Sequence, residues 1–204
     1  MKLIVATNNS HKLEEIRSML DGKMEVLSLN DIGLDADIEE NGTTIRENSH
    51  IKAAFVANYL RRTGYEYPYT VIADDTGLLV EALDGEPGVH TARYAGKEGE
   101  SDSEANMRLL LKNLEGKENR KAWFYTVITM IEEKVPYLTK VKYFAGKVGG
   151  TILTEKHGSE GFGYDPVFMP DGYDKSFAEL GAEIKNRISH RAKAVKELVE
   201  YLSK

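Results

Sequence analysis

The sequence predicts an α/β fold with a mixed, twisted sheet flanked by helices. Its front half alternates a short apolar run, a helical pattern and a second apolar run. Two β-rich runs, 121–132 and 137–148, follow and predict a hairpin near Pro136. No repeat, low-complexity tract or Pro/Gly/Ser linker interrupts the chain, so we expect residues 1–204 to form a single domain.

The first elements carry clear local signals. The apolar run 2–6 predicts a short buried strand. The Asn and Ser residues that follow offer N-caps for a helix over 11–21. Thr44 and Glu47 stand at capping-box spacing, which predicts a second helix over 45–62.

Ile51, Phe55 and Tyr59 recur at four-residue spacing, which supports the second helix, and Gly64 is expected to end it. Apolar runs predict strands over 69–73 and 78–83. The sequence Asp75-Thr76-Gly77 between the two runs predicts a tight turn.

The second half is less regular in sequence. Ser101 and Glu104 repeat the capping-box spacing and begin a third predicted helix. The glycine-rich stretch 149–182 is expected to be mostly loop, with a short strand at 166–169. An amphipathic pattern over 189–203, with Ser189 as its cap, predicts the last helix.

Composition narrows the functional classes. The net charge of −6 argues against duplex nucleic acid as a partner, since that binding needs many cations. No apolar run is long enough to span a membrane. The absence of cysteine excludes a disulfide framework, a zinc–thiolate site and a cysteine nucleophile. We therefore expect a soluble, cytoplasmic protein, with a small anionic ligand still possible.

The loop between the first strand and first helix is a candidate anion site, because a helix start presents free N–H groups and a positive dipole end. Its Lys12 lies in the first turn, where a cation is unfavourable for the helix itself. A capped helix with a surface lysine is an equally good reading of this loop alone. The candidate residues are Thr7, Asn8, Asn9, Ser10, His11 and Lys12.

Asp74 and Asp75 form an acidic pair at the end of an apolar strand, where α/β proteins often bind ligands. Adjacent carboxylates repel, and Mg²⁺ favours carboxylate and phosphate oxygens. Glu39 and Glu40 offer further oxygen ligands. A plain acidic turn is the alternative for this segment taken by itself.

The segment 158–168 alternates glycines with the rings of Phe162 and Tyr164 and the carboxylate of Asp165. Glycine permits close backbone approach, and an aromatic face stacks on a nucleobase. An aromatic turn packed on the core is the competing interpretation.

Basic residues open the last helix, where they oppose its dipole unless an acceptor-rich ligand lies opposite. Lys185 precedes the helix, and His190 and Arg191 lie in its first turn. These side chains suit carbonyl and phosphate oxygens. A solvated basic turn explains them equally well in isolation.

Taken together, these segments resemble the inosine/xanthosine triphosphate pyrophosphatase family, the house-cleaning enzymes that remove non-standard purine nucleotides. The resemblance runs from Thr7 to Arg191 and rests on six motifs in the order typical of the family. They are TNNSHK, EENG, ADDTGL, GEPGVHTARYAG, GFGYDPVF and K-x4-HR.

The resemblance implies hydrolysis of ITP, dITP and XTP to the monophosphate and pyrophosphate by magnesium-assisted attack of water on the α-phosphorus. It also implies a homodimer of elongated, two-lobed α/β subunits with the active site in the cleft between lobes.

The roles that the resemblance implies can be given by position. Thr7, Asn8, Asn9 and Lys12 hold the triphosphate, with backbone N–H groups of Ser10 and His11 facing it. Glu39 and Asp75 bind magnesium, Asp75 also activates water, and Lys12 stabilises the leaving pyrophosphate. Thr76 touches the phosphate or sugar. Phe162, Gly163, Tyr164 and Asp165 flank the base, which Lys185, His190 and Arg191 read.

Two positions depart from the family pattern. Asn8 stands where many relatives have glycine, which bears on how closely the loop wraps a phosphate. Thr76 stands where many have serine and keeps the hydroxyl.

Donor chemistry bears on the choice of base. His190 and Arg191 present donors, which suit the 6-oxo group of hypoxanthine or xanthine and would be left unpaired by adenine. Three other functions fit parts of the pattern: a Maf-like pyrophosphatase, a metal-dependent phosphatase that releases orthophosphate, and a nucleotide sensor without catalysis.

Overall fold

This computed structural model describes residues 2–96, 102–136 and 138–203. The contacts group the chain into two compact units. The first unit comprises 1–75, 127–145 and 194–204, and the second unit comprises 76–126 and 146–193.

The described residues form a mixed sheet and several helices. The strands are β1 (Lys2–Val5), β2 (Glu25–Leu27), β3 (Tyr69–Val80), β4 (Pro87–Gly88), β5 (Lys121–Glu133), β6 (Thr139–Ile152) and β7 (Phe168–Pro170). The helices are α1 (Ser10–Leu20), α2 (Ile45–Thr63), α3 (Ser103–Asn113), α4 (Phe177–Ile188) and α5 (His190–Leu202).

The strand order is β2-β1-β3-β5-β6-β7, with β4 pairing to β3. β1 runs parallel to β2 and β3, whereas β3–β4 and β6–β7 are antiparallel pairs. The predicted α/β class with a mixed sheet is confirmed, and the two β-rich runs are the neighbouring strands β5 and β6.

The first unit has a core on each face of its sheet, because successive strand residues point to opposite faces. On one face, β1 and β3 pack against α2. This core includes Ile4, Ala53, Val56, Leu60, Val71 and Ala73. On the other face, the same strands pack against α1 and α5. That core includes Leu3, Val5, Ile16, Leu20, Ile72, Val195 and Leu198.

The second unit has its own core, formed where β3, β5 and β6 pack against α3 and α4. Its members include Leu78, Val80, Met107, Leu110, Phe124, Val148, Ile152, Phe168 and Phe177. Phe168 stacks on Phe177 with ring centroids 5.4 Å apart.

Helix α2 begins and ends as predicted. Thr44 Oγ1 accepts from the N–H of Glu47 at 3.1 Å, and the Glu47 carboxylate accepts from the N–H of Thr44 at 3.0 Å. Of the apolar residues at four-residue spacing, Phe55 is 42% exposed. The helix packs its smaller side chains, such as Ala53, against the sheet.

Strand β3 is continuous, so the predicted tight turn at 75–77 is wrong. The polar side chains that suggested a turn have partners in the fold, including lysines for Asp74 and Asp75 and a hydroxyl for Thr76. Because these polar side chains have hydrogen-bond or ion-pair partners, they can be buried in a continuous strand.

Helix α4 was missed, because 149–182 was expected to be mostly loop. Ser176 Oγ accepts from the N–H of Glu179 at 3.1 Å, a capping box that is visible in the sequence. Gly181 kinks α4 with φ 76° and ψ 168°, values that glycine adopts readily. β6 also extends to Ile152, beyond its predicted end.

The remaining helix starts match the prediction in part. The Asp102 side chain accepts from the N–H of Ala105 at 3.0 Å and caps α3, whereas the proposed cap Ser101 lies outside the described residues. Ser189 Oγ accepts from the N–H of Ala192 at 3.1 Å, so the predicted cap of α5 is confirmed. In the described ranges, no helix combines the length and apolarity that crossing a membrane requires.

Candidate active site

The loop before α1 is held by its own side chains. Asn9 Oδ1 accepts from the N–H of Lys12 at 3.1 Å and caps the helix. The N–H of Asn9 donates to Thr7 Oγ1 at 3.1 Å, and Asn8 Nδ2 donates to the carbonyl of Ala36 at 2.9 Å. The exposed members of the loop are Asn8, Asn9, Ser10 and His11. This arrangement leaves a helix start that faces solvent.

Next to this loop, the first unit contains what we term the carboxylate–lysine cluster. Its members are Lys12, Glu40, Lys52, Asp74 and Asp75. Lys12 Nζ lies 3.2 Å from Asp74 Oδ2. Lys52 Nζ lies 2.9 Å from Asp75 Oδ1 and 3.1 Å from Glu40 Oε1. Asp74, Asp75 and Lys52 are 1%, 6% and 6% exposed, so these charges are almost removed from water.

Strand geometry explains why each aspartate has its own lysine. Asp74 and Asp75 are adjacent on β3, so their side chains point to opposite faces. Lys12 belongs to α1, which packs on one face, and Lys52 belongs to α2, which packs on the other. Two ammonium groups therefore offset the repulsion that the sequence pattern suggested.

Burial raises the pKa of the Asp75 carboxyl, and the nearby Lys52 and Lys12 ammonium groups oppose that shift only in part. Burial alone would lower the pKa of Lys52, but the carboxylates of Asp75 and Glu40 outweigh it and raise that pKa. Lys52 is therefore charged, and Asp75 is a stronger base than a surface aspartate.

Lys52 was not among the predicted site residues. It lies on the buried face of α2, beside Ala53 and Val56, at the position where a lysine is least expected. A lysine on the buried face of a helix indicates a functional residue, but this can be recognised only after the buried face of the helix has been assigned.

The donor chemistry of the carboxylate–lysine cluster suits a hard divalent cation, because Asp74, Asp75 and Glu40 offer carboxylate oxygens. Glu39, the predicted ligand, is exposed, and its neighbour Glu40 reaches Lys52. Across the described ranges, no group of three or more His, Cys, Asp or Glu side chains is already arranged to hold a metal.

In the second unit, the half-buried Thr76 and the buried Thr126 meet next to the buried Arg191. The hydroxyl oxygens of Thr76 and Thr126 are 2.6 Å apart, and Arg191 Nη2 donates to Thr76 Oγ1 at 3.3 Å. Arg191 is 1% exposed and Thr126 is fully buried. Thr126 was not predicted, because nothing in its strand pattern distinguishes it from a core threonine.

Also in the second unit, two cations flank the ring of Phe162. Lys185 Nζ lies 4.4 Å from the ring centroid and Arg191 Cζ lies 5.7 Å from it. Asp165 Oδ2 accepts from Lys185 Nζ at 2.5 Å and from the N–H of Phe162 at 2.8 Å. We term Phe162, Asp165, Lys185 and Arg191 the Phe162 cluster.

The other predicted residues of this region have structural contacts. His190 stacks on Phe124, with centroids 4.6 Å apart and planes inclined by 22°. Tyr164 belongs to the core, its hydroxyl donates to the carbonyl of Thr91 at 3.0 Å, and burial raises its pKa. Gly163 has φ 64°, in the left-handed region that favours glycine.

The predicted residues thus form two sets. Lys12 and Asp75 lie in the carboxylate–lysine cluster of the first unit, and Phe162, Lys185 and Arg191 meet in the second. Consecutive residues of β3 connect the sets along the chain, since Thr76 directly follows Asp75. Buried cations and a partly exposed ring suit an anionic aromatic ligand.

Comparison with known proteins gives consistent matches. The model of the Ham1 family matches residues 3–201. A protein of Porphyromonas gingivalis named dITP/XTP pyrophosphatase is 50% identical over 202 residues, covering 98% of this chain and 97% of the relative. A protein of Flavobacterium johnsoniae with the same name is 47% identical, covering 100% of this chain and 98% of the relative.

Solved structures agree with these sequence matches. The structure of the Staphylococcus aureus Ham1 protein has a TM-score of 0.82 to this chain at 38% identity, covering 100% of this chain and 98% of its own. A HAM1 protein from Coxiella burnetii also gives a TM-score of 0.82, at 34% identity and the same coverage.

Proposed function

Because the chain belongs to the Ham1 family, whose model spans residues 3–201, we propose that it hydrolyses non-canonical purine nucleoside triphosphates to the monophosphate and pyrophosphate. The proposed substrates are dITP, ITP and XTP, in line with relatives named dITP/XTP pyrophosphatases. The observation that carries the proposal is the carboxylate–lysine cluster, in which buried Asp75 contacts Lys52 while Lys12 lies at an open helix start.

The triphosphate binds at the start of α1. Backbone N–H groups of a helix start and the Lys12 ammonium group attract phosphate oxygens. Thr7, Asn8 and Asn9 hold this loop in shape, and the exposed Ser10 and His11 present their backbone N–H groups to the phosphates.

Asp75 and Glu39 would hold magnesium, and Glu40, whose carboxylate contacts Lys52, would offer a further oxygen donor beside them. When bound, magnesium supplies positive charge that neutralises the phosphate oxygens. The ammonium groups of Lys52 and Lys12 act to lower the pKa of Asp75 against the effect of burial, which favours the ionised form that a cation requires.

Water attacks the α-phosphorus, and the bond from that phosphorus to the bridging oxygen breaks. Asp75 accepts the proton that the attacking water loses, which its raised pKa favours. Lys12 stabilises the charge on the departing pyrophosphate. One triphosphate and one water thus yield one monophosphate and one pyrophosphate.

The purine binds at the Phe162 cluster. The Phe162 ring stacks on the base, and Gly163 allows the backbone to turn there. Lys185, His190 and Arg191 favour bases that carry a 6-oxo acceptor. Asp165 holds Lys185, Tyr164 holds the loop through Thr91, and Thr76 contacts the sugar or phosphate.

Product analysis tests this function. The protein is incubated with dITP, XTP, dGTP and dATP, with and without magnesium, and the products are separated by ion exchange. We expect monophosphate and pyrophosphate from dITP and XTP only when magnesium is present. Release of orthophosphate, or equal turnover of all four nucleotides, would contradict the proposal.

Two further expectations accompany this function. A homodimer is proposed from the family resemblance, and sedimentation velocity measures it directly. A cytoplasmic location is proposed because the substrates belong to the nucleotide pool and the chain contains no cysteine.

A further inference from the structure

Asn48 is a fully buried polar residue of α2, one helical turn before Lys52. Its side-chain oxygen accepts a hydrogen bond from the backbone N–H of Gly42 at 2.8 Å. Gly42 lies two residues after Glu40, whose carboxylate contacts Lys52. Asn48 therefore connects the helix that carries Lys52 to the acidic segment 39–42.

Gly42 lies against α2 so closely that only glycine fits. A Cβ atom at this position would lie 2.6 Å from Asn48 Oδ1 and 2.8 Å from Glu47 Cβ. Both distances are shorter than carbon contacts in folded proteins allow. The close approach fixes the end of the acidic segment against the helix.

Glu47 holds the next two residues of the same segment. Its Oε2 atom accepts from the N–H and hydroxyl of Thr43, each at 2.8 Å, and from the N–H of Thr44 at 3.0 Å. These hydrogen bonds lower the pKa of the Glu47 carboxyl. Residues 42–44 are thus bonded to α2 at consecutive positions.

The orientation of the Asn48 amide follows from this contact. Rotating the amide by half a turn would place its NH₂ group against the N–H of Gly42, so that two donors would face each other. In the observed orientation Asn48 Nδ2 is buried and has no hydrogen-bond partner among the described residues. Burying a hydrogen-bond donor without a partner destabilises the folded state. The hydrogen bond between Asn48 and Gly42 has to offset that loss of stability.

We propose that Asn48 is a positioning residue that acts through Gly42 to hold Glu40, and with it the adjacent Glu39, beside the Lys52–Asp75 pair, from where the segment can offer carboxylate oxygens to a divalent cation. The inference rests on the proposed function, since it concerns the metal site of that reaction. Outer residues that orient metal ligands commonly change metal affinity by about 10-fold or more when they are replaced.

The test measures Mn²⁺ binding to nucleotide-free protein by the loss of the electron paramagnetic resonance signal of free Mn²⁺. We expect Asn48→Ala to weaken Mn²⁺ binding by about 10-fold. The matched control is Asn58→Ala, which removes an exposed asparagine from the same helix and should bind Mn²⁺ like the wild type. Circular dichroism reports whether each variant is folded.

Gly42→Ala provides an independent variant, because its added methyl group should displace the segment from Asn48. If Asn48→Ala does not fold, Gly42→Ala decides the question. Wild-type Mn²⁺ affinity in the folded variants would overturn the role of Asn48. If those variants bind Mn²⁺ normally while the wild type releases pyrophosphate from dITP, only this inference fails. A wild type that releases no pyrophosphate overturns the proposed function, and the inference with it.

Discussion

Lys52 Nζ lies 2.9 Å from Asp75 Oδ1 in a site where both residues are 6% exposed. The pair joins α2 to β3 and fixes the carboxylate to which we assign proton transfer. A buried ion pair of this kind is sensitive to the loss of either member, because the remaining charge is left without compensation.

We expect Lys52→Met to reduce kcat by about 10²- to 10³-fold, which is the size of effect found when one preorganised hydrogen-bond donor is removed from a catalytic site. Steady-state release of pyrophosphate from dITP measures the change. Lys196→Met is the control, because the Lys196 side chain is 78% exposed and its Nζ lies 4.0 Å from Glu200 Oε1. It also removes a lysine that pairs with a carboxylate, but one at the surface. Equal kcat in both variants would show that Lys52 does not support catalysis.

Asp75→Asn should abolish turnover, because an amide cannot accept the proton of the attacking water. The shape of the side chain is kept, so the far-UV circular dichroism spectrum should match the wild type. Asp174→Asn, at an exposed position, should retain full activity. Residual pyrophosphate release by Asp75→Asn near the wild-type rate would remove Asp75 from the mechanism.

Phe162→Leu should impair recognition of the base while leaving the phosphate site intact. Loss of stacking costs about 1–3 kcal/mol per base, which corresponds to a roughly 5- to 150-fold lower kcat/KM for dITP. Inhibition by tripolyphosphate, which has no base, should be unchanged. A leucine variant with wild-type kcat/KM would place the base elsewhere.

Glu133 supports a stability prediction outside the catalytic site. Its buried carboxylate accepts hydrogen bonds from Arg61, from the Tyr69 hydroxyl at 2.9 Å and from the Thr139 hydroxyl at 3.0 Å. Burial acts to raise the pKa of Glu133, but these partners outweigh it and hold the pKa below the ordinary value of 4.5.

A lowered pKa means that the folded state favours the ionised carboxyl, so the stabilisation is complete above the ordinary pKa and is lost as pH falls through the folded pKa. Glu133→Gln should lower the free energy of unfolding at pH 7 by about 1–3 kcal/mol. Urea denaturation at pH 7 and at pH 3 measures the difference, which should shrink at pH 3. The neighbouring Glu132→Gln should change stability by less than about 0.5 kcal/mol.

The elements that could be predicted from sequence are those set by contacts within a few residues. The caps at Thr44 and Ser189 belong to this class, since each bonds to a backbone group three residues away. Helix α4 had an equally local signal at Ser176, but the surrounding glycines favoured a loop interpretation.

The incorrect and missing predictions concern features that depend on contacts between residues far apart in the sequence. The turn predicted at 75–77 is an example, because the partner that allows Asp75 to be buried in a strand, Lys52, lies far from it in the sequence. The composition of β3 shows two acids but not the ammonium groups that neutralise them. For the same reason Lys52 itself was missed, since its importance depends on which helix face meets the sheet.

The continuity of β3 limits how this chain can change length during evolution. Loops absorb inserted residues, but an insertion just before Asp74 would move every following side chain to the opposite face of the strand. Asp74 would then point towards α2 and Asp75 towards α1, so the two acids would exchange lysines. Point substitutions are therefore the tolerable route for variation in this strand, and insertions and deletions must fall elsewhere.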